Sequence, residues 1–520
     1  MTDSGLDGPP MLHRYLRTAS DESGDQVALT FQGRDFTYRE IEDRANAVAH
    51  RLVAAGLGPH RRGMVVVSNR PEWMICTQAV LKTGAAVVTP LATWTAYELG
   101  HALEVSRPDV IVAEASSART LGARPPGSGT LLCVDEPSPA GWTSIRDVVD
   151  QRLDDAMGVV VNPDDDAFLF FSSGTTGLPK AVRHSHSSMS AVVAQWTRQA
   201  GLTAADRVQF FMPAPTIFGM ATTLACFAAR ARMSFFQRFH LDTMLRDIQA
   251  NEITIGMAAA PVAVAMAAHP ELERFDLSSL RYLIWGATPI ITDVAETVTR
   301  RSGVRWLHVY GTSEHGQLAS NPVHEPHRWR LDSPGTMSPD GEYRFLDETG
   351  AEVPPHTPGE LWVKSPQTMT GYLPESADAD VFDGAWVRTG DIAYLDRDGF
   401  LHIVDRAKEM IKVAGFAVSP VEVERTLFAH PDVDDCAVFA VADGRNGQRP
   451  AAAVVPRAGS VVTPQELIEW AAERVSSYKR LADVVFVAAI PRSAAGKVLR
   501  KHLPEVVSTA LAATSGRTDA

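Results

Sequence analysis

Residues 170–186 read FFSSGTTGLPKAVRHSH, and the chemistry they offer is that of an anion cradle. Ser172, Ser173, Thr175 and Thr176 supply hydroxyl donors, Gly174 and Gly177 let backbone N–H groups approach closely, and Lys180 supplies charge. A polyphosphate is the natural guest. The loop is not of the Walker A type, because Pro179 stands where the second glycine belongs and no Gly-Lys-Ser/Thr follows. A solvated surface loop would explain the polarity, but not the apolar run 166–171 (DAFLFF) that feeds it, nor the Pro-Lys closure. Four histidines lie near candidate segments: His184 and His186 after the loop, His308 and His315 around Tyr310. No HExxH or Cys/His ligand spacing accompanies them, so a zinc site is not expected.

The elements that must hold this loop alternate in type. Residues 63–69, 84–90, 109–114 and 129–135 are short β-branched runs separated by helix-like stretches, the pattern of parallel sheet with crossover helices. Thr37 and Glu40 make a capping-box pattern; Ile41, Ala45, Val48 and Leu52 follow at helical spacing and Gly56 suits the helix end. The last hundred residues change character. Ser419-Pro420-Val421-Glu422 and Thr463-Pro464-Gln465-Glu466 both read as capping boxes with proline at the first helical position. Strand-like runs cover 434–442, 450–456 and 482–491. The expected fold is α/β, with a large N-terminal domain of mostly parallel sheets over 1–405 and a small mobile α+β domain over 406–505. A polar tail, 506–520, is expected to fray.

Bulk properties narrow the partners. With 520 residues, two or three domains are expected. The net charge of −13 argues against a nucleic-acid or anionic-membrane surface as the main partner. Cys76, Cys133, Cys226 and Cys436 are widely spaced, which fits a reducing cytoplasm rather than a disulfide framework. The N-terminus has no apolar core of a signal peptide, and the longest uncharged apolar run, 255–268, is too short for a bilayer and contains Pro261. A soluble, cytoplasmic protein is the expectation.

The loop SSGTTGLPK resembles the phosphate loop of the adenylate-forming superfamily, which includes acyl-CoA and aryl-CoA ligases, peptide-synthetase adenylation domains and luciferases. Further segments resemble that family's motifs in order: YGTSE at 310–314, GELWVKSPQTMTGYL at 359–373, RTGDIAYLDRDGF at 388–400, VDRAKEMIKVAGFAVSPVEVE at 404–424 and PRSAAGKVLRKHL at 491–503. Singly, Asp391 reads equally as a turn cap, Tyr310 as core and Lys497 as a solvated side chain; their joint occurrence in order argues for a site. The resemblance implies that Ser172, Ser173, Gly174, Thr175, Thr176, Gly177 and Lys180 hold the β- and γ-phosphates of ATP. It implies that Tyr310, with Gly311 and Thr312, stacks on adenine beside Gly286-Ala287-Thr288, and that Asp391 and Arg406 bind ribose. Glu314 would ligate Mg²⁺. Lys497 would bridge carboxylate and α-phosphate, so that Lys497, Glu314 and Thr175 carry catalysis. Lys408 would be the hinge about which the small domain turns, exchanging Lys497 for the acceptor side formed by Lys412, Gly415 and Phe416.

Three positions depart from the common acyl-CoA ligase pattern: Thr216 in PAPTIFG, Trp285 in IWGATP and Val309 in HVYG. Trp285 and Val309 are expected to fill the acyl pocket, with Thr216 and His308 beside it, leaving no slot for a long fatty acid; the other reading of Trp285 places it in the core. The leading function is ATP-dependent adenylation of a small or aromatic acid followed by transfer to CoA, with release of AMP and pyrophosphate. Two alternatives stay open. One keeps adenylation and changes partners: a carrier protein arriving in trans, an amine, or nitrite adenylated for attack by an aryl amine. The other is a non-catalytic nucleotide-binding protein. The acid, the acceptor and the oligomeric state are not legible.

Overall fold

Two parallel-cored sheets face a shared layer of helices. The structure, a computed structural model, describes residues 11–515 apart from 126, 128, 173–178, 289, 379–380, 414–415, 444–446, 476–478 and 494–495. The first sheet has the order Gly371–Leu373, Lys180–Ser185, Asp166–Ser172, Ala86–Thr89, Arg62–Val66, Val110–Ala113, Thr130–Cys133, Thr143–Ser144. Its four expected β-branched strands run parallel, as their separation by helices requires. The second sheet is built about parallel strands Arg232–Phe235, Arg207–Phe210, Ile255–Ala258, Tyr282–Trp285 and Trp306–Thr312. A third, antiparallel sheet contains Gly359–Lys364, Trp386–Leu395 and Leu401–Arg406.

Helices Tyr38–Ala54, Pro71–Lys82, His186–Gln199 and Ile217–Ala229 share one hydrophobic core with residues of both large sheets, from Val65, Val87 and Phe168 of one to Val208, Phe210 and Met233 of the other. Burial on two sides makes these strands continuous apolar runs rather than alternating ones. Pro71–Lys82 is buried along its whole length. Its charged ends therefore have to be paired. Lys82 Nζ lies 2.6 Å from Glu42 Oε1, both side chains at most 5% exposed. Glu72 takes Arg70 at 2.7 Å and Arg146 at 2.8 Å.

Helix starts follow the sequence pattern in part. Thr37 accepts from Glu40 N at 3.1 Å, but the Glu40 carboxylate turns to Arg34 and Arg44 instead of closing the box. Ser419 likewise caps Pro420–Phe428, while Glu422 pairs with Lys479. Thr463 and Glu466 make the reciprocal box in full. Competing cations, Arg34 and Arg44 nearby in sequence and Lys479 far from it, explain the two open boxes.

The C-terminal region forms its own sheet, in the order Phe416–Val418, Ile411–Val413, Gly447–Pro456, Val433–Asp443, with Val484–Phe486 parallel alongside Gly447–Pro456. The expectation of a fraying tail is corrected over its first part: Leu503–Ser515 is helical. Leu503, Val506, Val507 and Ala510 recur at helical spacing and pack against Ala437, Phe439 and Ile490, which holds the helix down. Among the described residues, no helix is long and apolar enough to cross a membrane.

The Glu42–Lys82 pair gives a sharp test of this core. Lys82→Met leaves a buried carboxylate unpaired and should cost about 3–5 kcal/mol, whereas Lys82→Met with Glu42→Leu should recover most of it. Denaturant unfolding of the three proteins compares them; a single substitution as mild as the double one contradicts the assignment.

Candidate active site

One cavity of about 1250 Å³ opens where strand ends of both large sheets meet the C-terminal region. Its walls include Thr89 and Phe170–Ser172 from the first sheet, Met257, Ala258, Ile284 and Gly286 from the second, and Lys497 from the far end of the chain. These are the carboxyl ends of parallel strands, where open α/β sheets place ligands.

The expected anion cradle lies between two antiparallel strands. Asp166–Ser172 runs antiparallel to Lys180–Ser185, and Ser172 sits opposite Lys180 in register. His101 Nε2 lies 2.9 Å from the Pro179 carbonyl and pins the closing residue. Ser173, Gly174, Thr175, Thr176 and Gly177 lie outside the described residues. Lys180 Nζ stands 5.1 Å from the centre of the Tyr372 ring, and the Tyr372 hydroxyl donates to Glu314 Oε1 at 2.8 Å. Nothing local in the segment 359–373 marks Tyr372; only the pairing of Gly371–Leu373 with Lys180–Ser185 brings it beside Lys180.

Glu314 sits in the middle of a turn held from several sides. Its carbonyl accepts from Met369 N at 2.7 Å. His184 Nε2 donates to the Ser313 carbonyl at 2.9 Å, and His315 Nδ1 lies 3.1 Å from Thr312 Oγ1. Both histidines are therefore structural supports. Among the described residues, no three His, Cys, Asp or Glu side chains come together as a metal group. A lone carboxylate beside a phosphate cradle suits Mg²⁺, which takes one or two carboxylates and fills its sphere with phosphate oxygens and water.

Tyr310, Asp391 and Arg406 form one cluster. The Tyr310 hydroxyl donates to Asp391 Oδ2 at 2.5 Å, and Arg406 Nε lies 2.7 Å from Asp391 Oδ1. Asp391 and Arg406 are register partners on adjacent strands, which fixes the pair. Burial pushes the Asp391 carboxyl up, while Arg406 and Tyr310 pull it the other way. Burial pushes the Tyr310 phenol well above its ordinary range. Lys497 enters this field: burial lowers its pKa, Arg406 lowers it further, and Glu409 and Asp391 oppose them. Lys408 and Glu409 line the same cavity. Lys412 and Phe416 fall in the hairpin strands Ile411–Val413 and Phe416–Val418; their side chains, like Gly415, lie outside the described residues.

The acyl side needs two corrections. Trp285 and His308 do not line the cavity. Trp285 is 0% exposed, packs edge-on against Trp306 at 5.1 Å and donates its indole N–H to Thr288 Oγ1 at 3.2 Å. His308 is its register partner on the next strand and shares that face. Successive strand residues point to opposite faces, so Ile284 and Val309 reach the cavity instead. Thr288 Oγ1 also accepts from Ala260 N at 3.2 Å, so it ties the turn together. Gly286, Ala287, Gly311 and Thr312 do line the cavity. Ala287 holds φ at +64°, left-handed backbone that a non-glycine residue rarely adopts. Thr216 lines the cavity, but its hydroxyl caps Ile217–Ala229, accepting from Gly219 N at 3.1 Å and donating to the Pro213 carbonyl at 2.9 Å. The wall beyond consists of Val192, Trp196, Phe218, Ala221, Ile284 and Val309. The Trp196 indole N–H is already bound to Thr222 Oγ1 at 3.0 Å, so this wall is apolar.

A family model described as AMP-binding enzyme matches residues 16–373, and one described as AMP-binding enzyme C-terminal domain matches 422–497. The chain is 33% identical to 4-coumarate–CoA ligase 2 of Oryza sativa subsp. japonica, covering 95% of this chain and 91% of that one. It is 31% identical to 4-coumarate–CoA ligase 1 of Petroselinum crispum, over 95% and 93%. Among solved structures, the anthranilate CoA ligase AuaEII in complex with anthranoyl-AMP superposes with a TM-score of 0.89 at 24% identity, over 98% and 100% of the two chains, a likeness of fold. The amide bond synthetase McbA from Marinactinospora thermotolerans gives 0.86 at 27%, over 96% and 99%.

Acid should loosen this architecture. Burial is the leading cause that lowers His184, His186 and His308 from 6.5 to about 4, and His315 to about 3. The unfolded chain binds these protons first as pH drops below 6.5, so stability is complete above that point and is lost as pH falls through about 4. Denaturant midpoints at pH 7, 5.5 and 4.5 should decline in that order; a flat profile contradicts the neutral-histidine reading.

Proposed function

Because this chain belongs to the AMP-binding enzyme family, we propose that it adenylates an aromatic carboxylic acid with ATP and passes the acyl group to the thiol of CoA. The observation that carries the reading is Lys497, which lines the cavity with Glu409 and feels the charges of Arg406 and Asp391. The similarity to the 4-coumarate–CoA ligases of Oryza sativa subsp. japonica and Petroselinum crispum supports the acid–thiol ligase assignment.

The chemistry follows from charge. A carboxylate oxygen attacks the α-phosphorus of ATP, pyrophosphate leaves, and negative charge develops on the α-phosphate oxygens. The Lys497 ammonium is placed to bridge the two anions, which together compensate for its burial. Ser172, Lys180 and the segment 173–177, Thr175 and Thr176 included, hold the β- and γ-phosphates. Tyr310 meets the adenine, and Asp391 with Arg406 accepts and positions the ribose hydroxyls. Glu314, oriented by Tyr372, would hold Mg²⁺, which neutralises phosphate charge when bound. The region beyond Lys408 then turns about that residue, withdrawing Lys497 and bringing the 412–416 segment to the acyl carbon for attack by the thiol.

The apolar wall favours an aromatic acid over nitrite, which needs no such surface. With Trp285 in the core, exclusion of a long chain rests on Val309 and on Trp196 packed 5.2 Å from Phe218. AMP release across aromatic acids, hexadecanoate and nitrite, each with and without CoA, tests the reading. Aromatic acids with CoA should turn over best. Preferred hexadecanoate turnover contradicts the pocket, and CoA-independent release with an amine or nitrite moves the assignment to another acceptor. Lys497→Ala should lower adenylation by about 10²–10³ while ATP binding persists; an equal loss of ATP affinity contradicts a transition-state role.

A further inference from the structure

We infer that Asp405 is a positioning residue for Lys497, holding the C-terminal region in its adenylating orientation through contacts that cross the hinge. The inference rests on the role proposed for Lys497. Asp405 lies upstream of Lys408 on Leu401–Arg406, where it pairs with Ile392 of Trp386–Leu395, so it belongs to the third sheet. One carboxylate oxygen, Oδ1, accepts from Arg406 N at 2.7 Å, but the other is spent on the far side of the hinge. Asp405 Oδ2 accepts from Ser419 Oγ at 2.6 Å and from Val421 N at 3.2 Å, at the start of Pro420–Phe428. Both Asp405 and Ser419 are buried, at 5% and 2% exposure, where a charge-assisted bond gains strength and a lost one leaves an unsatisfied group.

The contact continues to the ammonium. One turn along the same helix, Glu424 Oε1 accepts from Arg500 at 2.7 Å and from Val438 N at 2.8 Å. Arg500 also pairs with Glu409, the residue after Lys408, and donates to the Val438 carbonyl at 3.0 Å. Arg500 stands three residues beyond Lys497. Asp405 therefore fixes the helix, the helix fixes Glu424, and Glu424 fixes the segment that bears Lys497. Rotation about Lys408 carries Ser419 and Val421 away from Asp405 and must break both bonds. A residue whose contacts exist in one orientation shifts the balance between the two by their differential strength.

Full-length Asp405→Asn and the milder Ser419→Ala test this in two half-reactions, using the most active acid of the panel. ATP–pyrophosphate exchange should fall about tenfold or more in Asp405→Asn, and less in Ser419→Ala. Transfer to CoA from synthetic acyl-adenylate should stay within about twofold of the unsubstituted protein, and Asp405→Glu should restore part of the exchange. Parallel loss of both half-reactions, or no loss of exchange, overturns the inference. Absence of thioester formation by the unsubstituted protein would instead count against the proposed acceptor. A separate readout covers that outcome: spin labels on Glu104→Cys and Ala429→Cys, both exposed, with all four native cysteines buried. Asp405→Asn should broaden or shift their distance distribution, and an unchanged distribution overturns the inference.

Discussion

An ammonium group borne by one part of the chain has to sit, largely stripped of water, among charges borne by another. That placement is costly in isolation, because burial disfavours the charged lysine. It becomes tolerable only where counter-charges converge, and at Lys497 these are Asp391 and Glu409, with Arg406 opposing. The rest of the architecture can be understood as what brings those groups to one place. Antiparallel register sets Asp391 against Arg406, the turn after Trp306–Thr312 presents Glu314, and the strand hairpin presents Lys180.

Such convergence requires walls that do not yield. The helices between the two large sheets are buried on both sides, so charged side chains such as Glu42, Lys82, Arg44 and Glu72 are bound in pairs or chains. Arg44 joins Glu40 to Asp150, Arg146 joins Asp150 to Glu72, and Arg70 joins Glu72 to Asp135. This chain links Tyr38–Ala54, the start of Pro71–Lys82 and Arg146–Asp150 along one flank. Its exposed members contribute little each; the buried ones mainly avoid the penalty of unpaired charge. The same competition for cations opened two of the three capping boxes, since Glu40 and Glu422 found stronger partners than a backbone N–H.

The C-terminal region is held differently. Between the third sheet and Pro420–Phe428, the buried contact of Asp405 with Ser419 and Val421 spans the hinge. A wide apolar interface would freeze one orientation, whereas a small set of directional bonds can be broken and remade.

The amino-acid order alone determined the alternation of parallel strands and helices, and its ordered motifs determined the family, because both are carried by local patterns of residue type and spacing. Only the folded chain decided which face Trp285 and His308 occupy, since a strand's two faces differ by one residue and nothing local says which is core. Tyr372 meets Glu314, and Asp405 meets Ser419, across sheets and a hinge; such pairings are made by packing between distant segments and leave no periodic trace in the sequence. The helix Leu503–Ser515 lies between these cases: its apolar spacing is visible in the residues, but its stability comes from the Ala437, Phe439 and Ile490 surface it covers.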